Sequence, residues 1–135
     1  MSLNSTVVGE HVYSDGTRTF SVARMIAGTE RVPVTLIRVS DFLWELGEAA
    51  WDREDGEPIS PWTVLADPVT SPAHAKRIFA ADLRQPVLLV PARDLRRDYL
   101  IADGLHRLAR AAAERTTWLR AVCVPPAVLA HARLS

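Results

Sequence analysis

The segment Tyr99-Leu100-Ile101-Ala102-Asp103-Gly104-Leu105-His106-Arg107-Leu108-Ala109-Arg110 constrains this chain more than any other. An apolar, β-prone run enters Asp-Gly and passes at once into a helical pattern, so a strand must turn sharply into a helix. Between Asp103 and Arg115, Leu105, Leu108, Ala109 and Ala112 recur at i, i+3, i+4 and i+7, the buried face of such a helix. Its first turn offers N–H groups without an intrahelical acceptor, together with the positive end of the helix dipole. Gly104 lets an anion approach that backbone closely. His106 and Arg107 stand on the same turn, one as a hydrogen-bond donor and the other as a bidentate phosphate grip. Arg110, a turn further on, extends the positive surface. The expectation is a phosphate held by the amides of Gly104, Leu105 and His106, with Arg107 neutralising charge and Asp103 or His106 handling a proton. A plainer reading stands beside it, in which Asp103 is only an N-cap contributing about 1 kcal/mol and the basic residues are solvated.

The remaining pattern alternates short strands and helices. Val7, Val8, His11, Val12 and Tyr13 lead into Ser14-Asp15-Gly16-Thr17, and Thr19 and Phe20 leave it, which is a hairpin signature. Ser21 then caps a short helix carrying Val22, Met25 and Ile26, stopped by Gly28. Pro33–Val39 reads as a strand with Val34, Leu36 and Ile37 inward, and Phe42 to Ala50 as a second helix. The stretch from Trp51 to Thr70 reads as an irregular acidic loop, with Trp51 and Trp62 tying it to the core. Asp52, Glu54, Asp55 and Glu57 resemble a calcium loop until its twelfth position, which is Thr63 where a Glu is needed.

Ser71-Pro72 opens a helix to about Ala81 with Ala75, Ile78 and Phe79 on its apolar stripe. His74 and Arg77 lie side by side on another face and join the candidate anion site. Pro86–Pro91 is a strand covered on both sides, Arg93–Asp98 a charged turn, and Tyr99–Ala102 the return strand. Trp118–Val124 closes the sheet, and a short helix from Pro126 ends the chain. The whole reads as a single α+β domain over residues 1–135, with 1–30 as a hairpin-and-helix extension and 31–135 as the core.

At 135 residues, 48% apolar and 24% charged, the composition is ordinary for one globular domain. Nothing approaches the roughly 20 apolar residues of a membrane span, and the start has no signal-peptide layout, so a cytoplasmic protein without membrane partners is expected. Cys123 alone makes neither a disulfide nor a zinc cluster. His74 and His106 lack carboxylates at ligand spacing, so no metal site is expected. His11 and His131 have no evident companions. The zero net charge divides into five Arg against eleven acids in residues 1–70 and eleven Lys or Arg against five acids in 71–135. A basic half suits a phosphorylated ligand or nucleic acid, or simply packs against the acidic half.

The run Ile101-Ala-Asp-Gly-Leu-His-Arg-Leu-Ala-Arg-Ala resembles the DGxHRxxA signature of the ParB/sulfiredoxin superfamily. His74, Arg77, Ile78, Ala81, Asp82, Leu83, Pro86, Val87 and Leu88 resemble the H-x-x-R-I, A-D-L and P-[VI]-[LI] segments that precede it in small ParB-like proteins. The resemblance covers about 55 residues, Ser71 to Val124. It implies a ParB/sulfiredoxin-like fold, a small mixed sheet with helices around it, and a nucleotide's phosphates at the DGxHR turn. It also implies a nucleotide as ligand, with Mg²⁺ in a phosphotransferase or nucleotide hydrolase. Sulfiredoxins carry a Cys where this chain has Leu105, which argues against sulfinic-acid repair. Chromosome-partition members carry Arg where this chain has His106, and append further domains. Free-serine kinases of this fold need a carboxylate base, for which Asp103, Asp82 and Glu30 are candidates. Two other functions stay open: a non-enzymatic DNA- or protein-interaction module, homodimeric or not, and a ParB-like nuclease, which lacks clustered carboxylates here.

Overall fold

The computed structural model describes residues 11–92 and 97–135. The expected roles of Val7 and Val8, and most of the turn at Arg93–Asp98, lie outside those residues. In chain order the elements are β1 (Val12–Ser14), β2 (Thr19–Ser21), α1 (Val22–Gly28), β3 (Thr35–Arg38), β4 (Trp51–Asp52), β5 (Pro58–Ile59) and α2 (Pro61–Ala66). They continue with α3 (Pro72–Ala80), β6 (Val87–Pro91), β7 (Tyr99–Asp103), α4 (Leu105–Ala113), β8 (Trp118–Cys123) and α5 (Pro126–Ala132). Tight 3-10 turns occupy Val39–Asp41, Leu43–Gly47 and Pro68–Thr70. The fold is α+β, and no helix among the described residues is long and apolar enough to cross a membrane.

Two compact units divide the chain. The first takes in the described part of Met1–Pro33, with Leu88–Asp103 and Val122–Ser135. Its hairpin pairs β1 with β2 antiparallel around Tyr13↔Phe20. The turn needs Gly16 at a φ of 96°. It is locked by Asp15, whose carboxylate accepts the N–H groups of Arg18 at 2.7 Å and Thr17 at 3.0 Å. Those amides, Arg18 foremost, hold the Asp15 carboxyl far below the usual range. Ser21 caps α1 by accepting the N–H of Arg24 at 3.2 Å. Phe20, Val22, Met25, Leu88, Val90, Ala102, Val122, Val124 and Ala132 form the core of this unit, while Ile26, expected beside Met25, is exposed. In this helix of seven residues only Val22 and Met25 are buried. Strands β6 and β7 pair antiparallel around Leu89↔Ile101, and residues 87–90 are buried as the continuous apolar run requires.

The second unit, Val34–Val87 with Gly104–Ala121, departs more from the sequence pattern. In β3 the inward residue is Ile37, placed opposite buried Leu119, so Val34 and Leu36 point outward. With a side-chain period of two, a one-residue offset exchanges the faces completely. The helix expected over Phe42–Ala50 is instead one 3-10 turn, Leu43–Gly47, preceded by another at Val39–Asp41. Phe42, Glu45 and Glu48 each donate to the carbonyl three residues back, and Val39, Phe42 and Glu45 are buried at that same spacing. The expected irregular loop at 51–70 is ordered. Trp51 is buried on the two-stranded β4–β5 hairpin. Helix α2 follows, with Pro61 in its first turn and the Ser60 hydroxyl accepting from Thr63 N–H at 3.3 Å. Trp62 is 41% exposed and does not serve as an anchor. Helix α4, buried through Leu108, Ala109 and Ala111, packs against α2, α3 and the Leu43–Gly47 turn. On α3, Ala75 and Ile78 are buried, whereas Phe79 is 69% exposed.

Candidate functional site

Helix α4 begins one residue later than the pattern implied. Gly104, not Asp103, is its N-cap, with φ 115° and ψ 20° in the left-handed region. A Cβ there would sit 2.5 Å from Val87 Cγ1. Glycine is therefore required by backbone conformation and by packing against Val87. Asp103 closes β7 in the first unit, where its Oδ1 lies 3.5 Å from His11 Nδ1, a companion that nothing in the sequence indicated.

The second unit gathers two of the expected residues. His74 is the third residue of α3 and His106 the second of α4. His74 Nδ1 and His106 Nε2 are 2.9 Å apart, so the first turns of the two helices meet. Both rings stack on Trp51, with centroid distances of 4.5 Å for His74 and 4.1 Å for His106. The imidazole centroids are 5.1 Å apart with planes 15° from parallel. That separation is too small for rings on opposite faces of the indole. The imidazoles therefore lie edge to edge on one face of Trp51, which acts as a flat floor.

The contacts determine where hydrogens sit. His74 Nε2 lies 2.9 Å from the Asp52 carbonyl oxygen, which only accepts, so that nitrogen carries a hydrogen. Neutral His74 then accepts at Nδ1 from His106 Nε2–H.

The N-terminus of α3 is satisfied from the hairpin. Ser71, in the N-cap position, makes no cap with its own side chain. It donates its hydroxyl to Glu54 Oε1 at 2.6 Å, and Glu54 Oε2 accepts the Ala73 N–H at 3.3 Å. The Ser71 hydroxyl, chiefly, holds the Glu54 carboxyl below its ordinary value. Glu45 is buried in the Leu43–Gly47 turn that packs on α4. The acidic residues of 52–57 are all exposed, Glu54 being also hydrogen-bonded to the start of α3, and among the described residues no group of three or more His, Cys, Asp or Glu is placed to hold a metal ion.

The three arginines take different places. Arg107 donates to the Pro86 carbonyl at 3.1 Å and lies against Gly104. Arg110 turns to the other end of α3, donating to the carbonyls of Phe79 at 2.9 Å and Ala81 at 2.7 Å. Its Nε pairs with Glu114 at 2.7 Å. It is a C-terminal cap for α3, where a cation complements the dipole. Arg77 is exposed on α3. Trp51, Glu54 and the Asp52 carbonyl are the participants that sequence reasoning missed; an aromatic residue bordering an acidic turn was their only signal. Compared with family models, curated proteins and solved structures, the chain matches none.

Proposed function

We propose that the chain is a ParB-like nucleotide- or phosphate-binding domain whose anion is received at the first turn of α4, beside His74 of α3. The observation that carries this reading is the His74–His106 contact at 2.9 Å. It brings the positive end of the α4 dipole together with two imidazoles, and a phosphoryl group offers the compensating negative charge. The Leu105 and His106 amides lie in the first turn of α4, where a phosphate oxygen is accepted. His106, whose Nε2 meets His74 Nδ1, is the group that moves a proton. Mg²⁺, where it takes part, arrives on the nucleotide's own phosphates. Arg107 supports the turn from its bond to Pro86 O, and Asp103 is not assigned a chemical role.

Thermal unfolding with ATP, ADP, CTP, GTP or inorganic phosphate, each with and without Mg²⁺, tests the reading. At a hundredfold excess over the dissociation constant a ligand contributes about 2.7 kcal/mol, which raises the midpoint by several degrees. The shift should vanish in His106→Ala. A panel in which no anion moves the midpoint sinks the proposal. Arg107→Ala is expected to lower the midpoint without ligand, since it removes the bond to Pro86 O.

A further inference from the structure

The outer face and open edge of β3 form a second feature, away from the histidines in sequence and in element. Val39 N–H donates to Thr117 O at 2.9 Å, one register step beyond Arg38↔Trp118. Antiparallel ladders alternate, so Ile37↔Leu119 and Thr35↔Ala121 are the hydrogen-bonded pairs, and Leu36↔Arg120 and Arg38↔Trp118 are not. Two consequences follow. The N–H and C=O groups of Leu36 and Arg38 point away from β8, toward an edge that pairs with no strand among the described residues. The side chains of Leu36, Arg38, Trp118 and Arg120 stand close together on one face of the pair.

That face is exposed and apolar, yet charged. Leu36 is 57%, Trp118 49% and neighbouring Val34 43% exposed. The Arg38 guanidinium lies 4.8 Å from the Trp118 ring centroid, covering one side of the indole. Among the described residues neither Arg38 nor Arg120 has an ion-pair partner, whereas Arg18, Arg53, Arg84 and Arg110 each meet a nearby carboxylate. A short edge strand with unpaired backbone, aliphatic side chains and two uncompensated cations fits one kind of occupant.

We infer that β3 takes up an extended acidic segment of another polypeptide as an added strand, its backbone bonding to Leu36 and Arg38 and its carboxylates meeting Arg38 and Arg120. Main-chain bonds supply affinity in such pairing, and the flanking side chains supply selectivity. Stacked bases are disfavoured as the occupant, because Arg38 already covers the Trp118 face.

The test is a fluorescence-anisotropy titration of the whole chain with a short labelled peptide of alternating Val and Glu. The same peptide with Lys for Glu, and a labelled oligothymidylate, serve as competing probes. The acidic peptide should bind about tenfold or more tightly than the basic one, and Arg120→Glu should reverse that order. Leu36→Pro should leave the ladder to β8 intact, since the Leu36 N–H faces the open edge, and the thermal midpoint checks this. It should nevertheless weaken binding about tenfold beyond Leu36→Ala, which keeps the N–H. The inference is overturned by equal binding of the two peptides, by tighter binding of the oligonucleotide, by Leu36→Pro binding as well as Leu36→Ala, or by self-association that masks the edge.

Discussion

The first turns of α3 and α4 each present a histidine to the other, but they are closed in different ways. Helix α3 borrows a carboxylate from the β4–β5 hairpin, with Glu54 accepting from Ser71 and from the Ala73 amide. Helix α4 starts at a left-handed glycine that has no side chain to offer as a cap. One positive helix end is therefore neutralised within the protein by a negative group. The other is held by the backbone geometry of Gly104, which has no side chain to cap it. Similar elements can thus differ in how their ends are closed because of the residue immediately before each helix.

Substitutions at four positions sharpen or break that contrast, in descending order of effect. Trp51→Ala removes the floor under both imidazoles and a buried indole, and should cost about 3–5 kcal/mol in urea denaturation. Trp51→Phe, which keeps an aromatic face, should lose much less; equal losses would show that stacking contributes nothing beyond volume. Gly104→Ala should cost about 2–4 kcal/mol, combining left-handed strain with a clash against Val87. A neutral Gly104→Ala would mean that α4 does not need its glycine start. His74→Ala leaves the Asp52 carbonyl and His106 Nε2 without this partner, and a loss of about 1 kcal/mol is expected.

The smallest effect is Glu54→Gln, and its signature is a pH dependence. The folded-state pKa of Glu54 is lowered by Ser71, so its contribution is present above the ordinary carboxylate range. That contribution is lost as pH falls through this range and below the folded value. Wild type and Glu54→Gln should therefore converge at acid pH and separate above it in a series of thermal midpoints. A constant separation at every pH would assign the role of Glu54 to its shape instead of its charge.

Elements announced by local chemistry were legible in the sequence. The Asp15-Gly16 hairpin, the Ser21 cap, the buried run before Pro91 and the strand-to-helix turn at Asp103-Gly104 all follow from residues next to one another. Where the pattern misled, a tertiary contact decided. The face of β3 depends on which residue of β8 lies opposite, and no property of Val34 or Leu36 encodes that. Ser60-Pro61 carries the same start signal as Ser71-Pro72, yet the surrounding acids and prolines obscured a helix of only six residues. For the candidate site, His74 and His106 were individually legible, but their meeting depends on how α3 packs on α4. Arg110 showed the opposite failure, a phosphate-type side chain that the fold uses at the wrong end of α3 for that purpose.

The β4–β5 hairpin contains only two residues in each strand, too few to hold itself together in water. Its persistence comes from Trp51, Asp52 and Glu54, three nearby positions that fasten to a helix start, the first by stacking and the other two by accepting hydrogen bonds. Such a segment acts as a suture between the two helix starts, and it should loosen when either start is disturbed. Amide exchange at residues 51–59 would thus report on the integrity of a junction they do not themselves build.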